Sequence, residues 1–330
     1  MQEKNFNKKG LIEMGSSVVI LSILIYLSTS VPLNLIINFV LPLPAVYVYV
    51  KYDFKYFGAL LLAAFIVCMA SMDMTSAISI FIIIAVISTI LGYCIKNKVK
   101  TSITFAIISV VYIVFWIIYF TVLINIFIGI DYSTLLESIS KMFQHTIDDV
   151  KTIYLNNGMS QSQINSVIDP LKDVFSKEAL RNLIPSLIIV GSAVYAYIEC
   201  AITIYFLRRM KLQVPKMIQF TKIHMPNVLV AFGIIGISIG IIMDSFNIGP
   251  GDIIYTTVMI VGDGALLICG ISLIVSVLKN RVHINNALMT IIIILTLIIP
   301  ITAYGYIFLG LVDAFVDFRK VAYNNSINKK

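Results

Sequence analysis

Apolar residues in this chain do not keep to one face of a helix or a strand. They run on for about twenty residues at a time, stop at a few turn residues or cations, and start again. Runs of that length match the ~20 residues an α-helix needs to cross a ~30 Å hydrocarbon layer. The pattern predicts about nine spans, at 11–29, 33–50, 56–70, 75–95, 102–128, 185–207, 227–244, 253–278 and 284–301. The expected fold class is therefore all-α, a polytopic transmembrane helix bundle. The run at 56–70 is short, and the one at 102–128 is long enough to tilt.

One segment, 129–184, reads differently. Leu135, Ile139, Met142, Phe143, Ile147, Val150 and Tyr154 recur at helical spacing, with Thr134 and Glu137 as a capping box before them and Asn157-Gly158 as a stop after. A second amphipathic stretch starts at Ser160, with Gln163 three residues on, and is expected to break at Asp169-Pro170. Together they predict an outer amphipathic helical cap. Its apolar faces need the lipid interface or the mouth of the bundle as a partner. It can be a lid over a cavity or a cap with no gating role.

Composition supports lipid as the main solvent. Hydrophobic residues make up 59% of the chain and charged residues 12%, and mean hydropathy is +0.96. The net charge of +7 comes from short basic loops beside spans, too short for a nucleic-acid groove, so no nucleic-acid partner is expected. The loop cations fix an orientation. One side carries Lys4, Lys8 and Lys9; Lys51 and Lys55; Lys96, Lys98 and Lys100; Arg208, Arg209, Lys211, Lys216 and Lys222; and Lys279 and Arg281. The other side has only the cations of the long 129–184 loop, which translocates largely regardless of charge. The amino terminus is expected to be cytoplasmic, in a bacterial cytoplasmic membrane. Nine spans leave Arg319, Lys320, Lys329 and Lys330 outside, against the rule. The 301–318 segment is then a short tenth span turning at Pro300 or a helix at the outer interface. Three segments follow: a six-span membrane core 1–207 that includes the helical loop, a cytoplasmic basic linker 208–225, and carboxyl-terminal spans and tail 226–330.

Little in the chain suggests catalysis. Cys68, Cys94, Cys200 and Cys269 lie far apart in apolar runs, and His145, His224 and His283 form no metal-spaced pair. Neither a nucleophile elbow nor a phosphate-binding glycine loop is present. No enzyme, cofactor or metal is expected.

Two acids sit where a span should be most apolar. Glu199 lies nine residues before Arg208, roughly 13 Å deep at 1.5 Å per residue. Asp263 lies eleven residues after Asp252 and sixteen before Lys279. A carboxylate at such depth is unfavourable unless it is protonated, paired or facing a wet cavity. Each acid is either hydrogen-bonded within the bundle or in contact with a cation, a proton or a polar substrate. Gly262 and Gly264 flank Asp263 and permit local unwinding or close approach. Asp73 caps an outward turn, and with Asp244 and Asp252 it forms either an acidic mouth or ordinary turn contacts. Gly233, Gly236 and Gly240 line one face of a span and predict a close helix neighbour, in the chain or in a partner. Pro42 and Pro44 each remove a backbone donor, predicting a kink that lines a pocket or is purely structural.

The Leu41-Pro42-Leu43-Pro44 element resembles that of the YybS-type bacterial membrane proteins. So do the aromatic-rich stretch after it, the basic turn at Lys51 and Lys55, Gly58, and Leu91-Gly92 before Lys96. The same resemblance covers Leu309-Gly310-Leu311-Val312-Asp313, followed by Asp317-Phe318-Arg319-Lys320. It implies structural roles for Gly310, Asp313 and Arg319. It also implies that the first six spans are similar to the substrate-capturing membrane subunits of energy-coupling-factor transporters. The first span here lacks the AxxxA docking pattern of those subunits, reading Met14-Gly15-Ser16-Ser17-Val18-Val19-Ile20. A related fold serves in shape-determining membrane scaffolds. Two functions are thus expected: transport-related binding of a small molecule or ion without an ATPase of its own, or a non-enzymatic membrane scaffold or regulator of envelope processes. Partners are the lipid bilayer and other membrane subunits.

Overall fold

The computed structural model describes residues 8–30, 34, 36–279, 284–316 and 318, and all regular structure among them is helical. The chain divides into two compact units. One comprises Met1–Leu135 with Gly191–Met217, the other Leu136–Val190 with Ile218–Lys330. The first holds α1 (Lys8–Ser28), α2 (Leu43–Lys51), α3 (Phe54–Ser71), α4 (Met74–Lys96) and α5 (Thr101–Ile118). A π-helical turn, Tyr119–Leu123, carries α5 on into α6 (Ile124–Ile128). Most of α7 (Tyr132–Asn156), all of α8 (Gln161–Val174) and the start of α9 (Lys177–Arg209) belong to the second unit, and the remainder of α9 to the first. The second unit is completed by α10 (Asn227–Ser245), α11 (Gly251–Val277), α12 (Asn286–Leu297) and α13 (Pro300–Val316).

Seven helices among the described residues are long and apolar enough to cross a membrane: α1, α3, α4, α5 with its continuation, α9, α10 and α11. The polytopic bundle expected from the apolar runs is therefore present, but the count of nine is not, for two local reasons. The run at 33–50 does not form one helix. Residues 38–42 make successive turns and α2 is nine residues long. The Leu43 amide donates to the Val40 carbonyl (3.0 Å) and the Val46 amide to the Pro42 carbonyl (2.9 Å). Pro44 lies in the first turn of α2, where a missing N–H is harmless. The Ser88 hydroxyl of α4 also donates to the Pro42 carbonyl at 3.3 Å. The expected irregular turn is thus found, with its carbonyl satisfied by a neighbouring helix.

The run at 284–301 fails differently. α12 stops at Leu297, Pro300 opens α13, and the two helices bend by 113° at the break, so they make at most one broken span or re-entrant loop. The Thr302 hydroxyl reaches back to the carbonyls of Ile299 (2.7 Å) and Thr296, and the Thr296 hydroxyl meets that of Tyr306 at 2.7 Å. Arg319 and Lys320, on which the reading of the tail turned, lie outside the described residues, as do Lys4, Arg281, His283, Lys329 and Lys330.

Within the first unit, Leu21 and Ile25 of α1, Ala45 and Val48 of α2, Phe57 and Leu60 of α3 and Ile84 of α4 form one fully buried cluster. Lipid removes most of the hydrophobic drive between such helices, so close packing holds them. Gly92 contributes directly: a Cβ there would lie 2.6 Å from the Tyr49 ring. Glu13, one turn into α1, pairs with Lys51 and accepts from Tyr47, tying α1 to α2.

In the second unit, the glycine face of α10 meets α11. A Cβ on Gly240 would lie 2.7 Å from the Tyr255 backbone nitrogen, and one on Gly236 would lie 3.1 Å from Val258, while Gly233 faces open space. The close neighbour predicted for this face is therefore within the chain. α11 also packs on α13, where Gly270 and Gly310 touch the opposing backbone at Tyr306 and Leu266. The amphipathic helices find their partner in each other. Ile147 of α7 packs with Ile164 and Ile168 of α8. Phe143 stacks on Phe175 at 4.2 Å, and the Ser140 hydroxyl donates to the Phe175 carbonyl at 2.8 Å. α8 begins with the expected Ser160/Gln163 capping box but continues unbroken through Pro170. α7 is capped by Asp131, whose carboxylate accepts from the Thr134 amide at 3.2 Å, one turn before the cap anticipated at Thr134.

Candidate functional site

Helical spacing puts Ser192, Ala196, Glu199 and Thr203 on one face of α9, and all four are buried, with Glu199 0% exposed. Facing them is Tyr112 of α5, itself buried, whose hydroxyl donates to Glu199 Oε2 at 2.6 Å. Glu199 Oε1, Ser192 Oγ and Thr203 Oγ1 are buried and have no hydrogen-bond partner among the described residues. Such orphaned groups are rare, because each forfeits its hydration without replacement. Here three occur on one stripe of one helix.

The surroundings extend the polar character along the first unit. Tyr195, one turn before Glu199, has its ring 5.3 Å from that of Tyr112 and 4.3 Å from that of Phe39. The Asn38 side chain approaches the Tyr195 hydroxyl. Asn38 Nδ2 in turn donates to Asn34 Oδ1 at 2.7 Å, and Asn34 Nδ2 to the Ser28 carbonyl at 2.6 Å. Amide, phenol and carboxylate groups thus lead from the turn after α1 to Glu199. Asn38 and Phe39 both lie in the irregular 38–42 segment. Chemically, Glu199 offers one satisfied and one open acceptor in an apolar wall. That set suits a proton, a small cation or an ammonium group, with the Thr203 hydroxyl one turn on and that of Ser192 two turns before it along the same face.

Asp263 stands apart from this arrangement, in the second unit. It is half-buried on α11, which runs unbroken past it, and a Cβ at Gly262 or Gly264 would meet nothing within 4 Å. The unwinding or close approach that the glycines suggested is absent. The close approach in α11 is at Gly270 instead. Asp73 in the first unit is exposed and caps α4, accepting from the Ser76 amide at 3.0 Å, which holds its carboxyl below the usual range. Asp252 in the second unit accepts from Asn182 Nδ2 at 2.9 Å, and Asp244 lies in the last turn of α10, its backbone against Gly251. Asp313 is buried on α13, one turn after Gly310. No group of three or more His, Cys, Asp or Glu side chains converges as a metal site among the described residues.

Tyr112, Asn38 and the two hydroxyls escaped the sequence reading. Ser192 and Thr203 were findable, being seven residues before and four after Glu199 on one helical face. Tyr112 was not, since nothing distinguishes it from other aromatics in its run.

A family model described as predicted membrane protein (DUF2232) matches residues 18–314. The chain belongs to that family. The match takes in Glu199, Tyr112, Asn38, Ser192 and Thr203 and stops short of the tail. No curated protein matches the chain, and no solved structure does.

Proposed function

We propose that this DUF2232 chain is a non-enzymatic, transport-related binding protein of the bacterial cytoplasmic membrane, with its amino terminus cytoplasmic. Its site is Glu199, and its ligand is a small cation or carries an ammonium group. The observation that supports this most is the open Oε1 of a fully buried carboxylate, on a helix face that carries two further buried hydroxyls without partners. A purely structural carboxylate at that depth would have both oxygens matched, because each unmatched buried acceptor costs about 1–3 kcal/mol. With no nucleotide-binding element in the sequence, energised transport would draw on a separate subunit. The scaffold reading loses its best support, since the face of Gly236 and Gly240 is occupied by α11.

The test is thermal stabilisation of the purified protein by a panel of inorganic cations, amines, vitamins and amino acids, repeated with Glu199→Gln. The proposal requires at least one compound to raise Tm in a concentration-dependent way and the substitution to abolish that rise. A panel without effect, or an effect that survives Glu199→Gln, overturns it.

A further inference from the structure

Between α4 and α5 lies a groove of about 350 Å³, walled by Ile83 and Ile87 on one side and by Val110, Val114 and Ile118 on the other. Tyr112 also lines it, with the hydroxyl turned away to Glu199. No polar atom faces into the groove. It opens sideways, and Val110, Val114 and Ile118 are exposed at its edge. Both helices are long and apolar enough to cross a membrane, so the medium at its mouth is lipid hydrocarbon. Water has nothing to bind there, and a polar ligand would lose its hydration for no return.

We infer that this groove is a lateral binding site for one acyl chain of a bilayer phospholipid. At about 30 Å³ for a water-sized group, the room corresponds to a chain of roughly a dozen methylenes. The end of α5 supplies the place for a headgroup. Phe115, Trp116, Tyr119 and Phe120 stack around the π-helical turn with ring centroids 5.6–6.0 Å apart, an aromatic cluster of the kind found where a span meets the interface. A lipid whose head rests there would run its chain along the groove toward Tyr112. The lipid comes from the leaflet nearest the α5–α7 connection. A lipid in this position forms a fixed wall to the Tyr112 ring, on the side opposite Glu199.

Trp116 is the chain's single tryptophan, so its fluorescence reports the site. The full chain is placed in bilayers of ordinary phosphatidylcholine containing a small, increasing fraction of phosphatidylcholine with bromine on its acyl chains. The expected result is saturable quenching, several-fold above that of random neighbours at low fraction. Val114→Phe, at the exposed edge of the groove, removes the excess, whereas Ile107→Phe, exposed on α5 but outside the groove, retains it. Should Val114→Phe unfold, Val114→Leu gives the same reading with a smaller change. Quenching that follows the mole fraction linearly, or an excess indifferent to position 114, overturns the inference. Glu199→Gln is expected to keep the excess, so failure here is separable from failure of the Glu199 reading.

Discussion

At the scale of single residues, the pair of Tyr112 and Glu199 is the sharpest feature. A hydrogen bond between two buried groups contributes modestly, whereas stranding one partner forfeits that group's solvation. Tyr112→Phe leaves Glu199 with no donor at Oε2, and a loss of about 1–3 kcal/mol in unfolding free energy is expected. Replacing both at once, with Tyr112→Phe and Glu199→Leu, removes the stranded group and is expected to recover most of the loss. Urea or thermal unfolding in detergent of the four proteins closes the cycle, and a double substitution worse than either single one would exclude this account. The acid was legible in the sequence because a charge in the middle of an apolar run is conspicuous. Its partner was not, because a tyrosine is ordinary in such a run and only tertiary packing selects Tyr112 from its neighbours.

At the scale of elements, glycines that look alike do different work. Gly262 and Gly264 flank an acid and stand out in the sequence, yet a Cβ on either would meet nothing within 4 Å, while Gly270 and Gly310 hold α11 and α13 in backbone contact. Spacing alone cannot tell them apart, because the distinction lies in what a second helix brings to each. Gly270→Ala or Gly310→Ala forces the helices apart and is expected to destabilise by about 1–3 kcal/mol. Gly264→Ala, in open space, is expected to be neutral or stabilising by up to about 1 kcal/mol. Equal effects on Tm at the two sites would refute the packing argument.

The α7–α8 hairpin makes a pH prediction at the same scale. Asp148 donates nothing but accepts from Lys172 at 2.7 Å, and that hydrogen bond holds its carboxyl below the ordinary range; Glu137 is lowered likewise by Lys141. A depressed carboxylate stabilises the folded form above its unfolded pKa, near 4, and that contribution disappears as pH falls through the lower folded value. Protease nicking between the helices near Gly158 is therefore expected to rise below about pH 4, earlier in high salt, because these groups are exposed and screened. The hairpin persists through its apolar contacts, so Ile164→Ala, which removes a fully buried side chain, is expected to loosen it at every pH.

At the scale of the whole molecule, apolar runs predict that a membrane is crossed but not how each helix ends. A hydropathy window averages over Pro42 and Pro44, and over Pro300, though the chain turns at 38–42 before α2 and α13 opens at Pro300. The regions at 33–50 and 284–301 therefore looked like spans and fold as shorter pieces. Orientation rests on a different signal, the crowding of cations beside one set of helix ends. Single cysteines test it cleanly, because all four native cysteines are buried and should stay silent. Ser160→Cys, exposed between α7 and α8, and Gln213→Cys, exposed in the linker after α9, place one reporter on each expected side. An impermeant maleimide should label position 160 on intact cells and position 213 only after the membrane is opened. Both reporters flank α9, so one crossing separates them, and their contrast does not depend on the shorter pieces elsewhere. The reverse pattern would overturn the orientation and would make the basic linker a surface outside the cell.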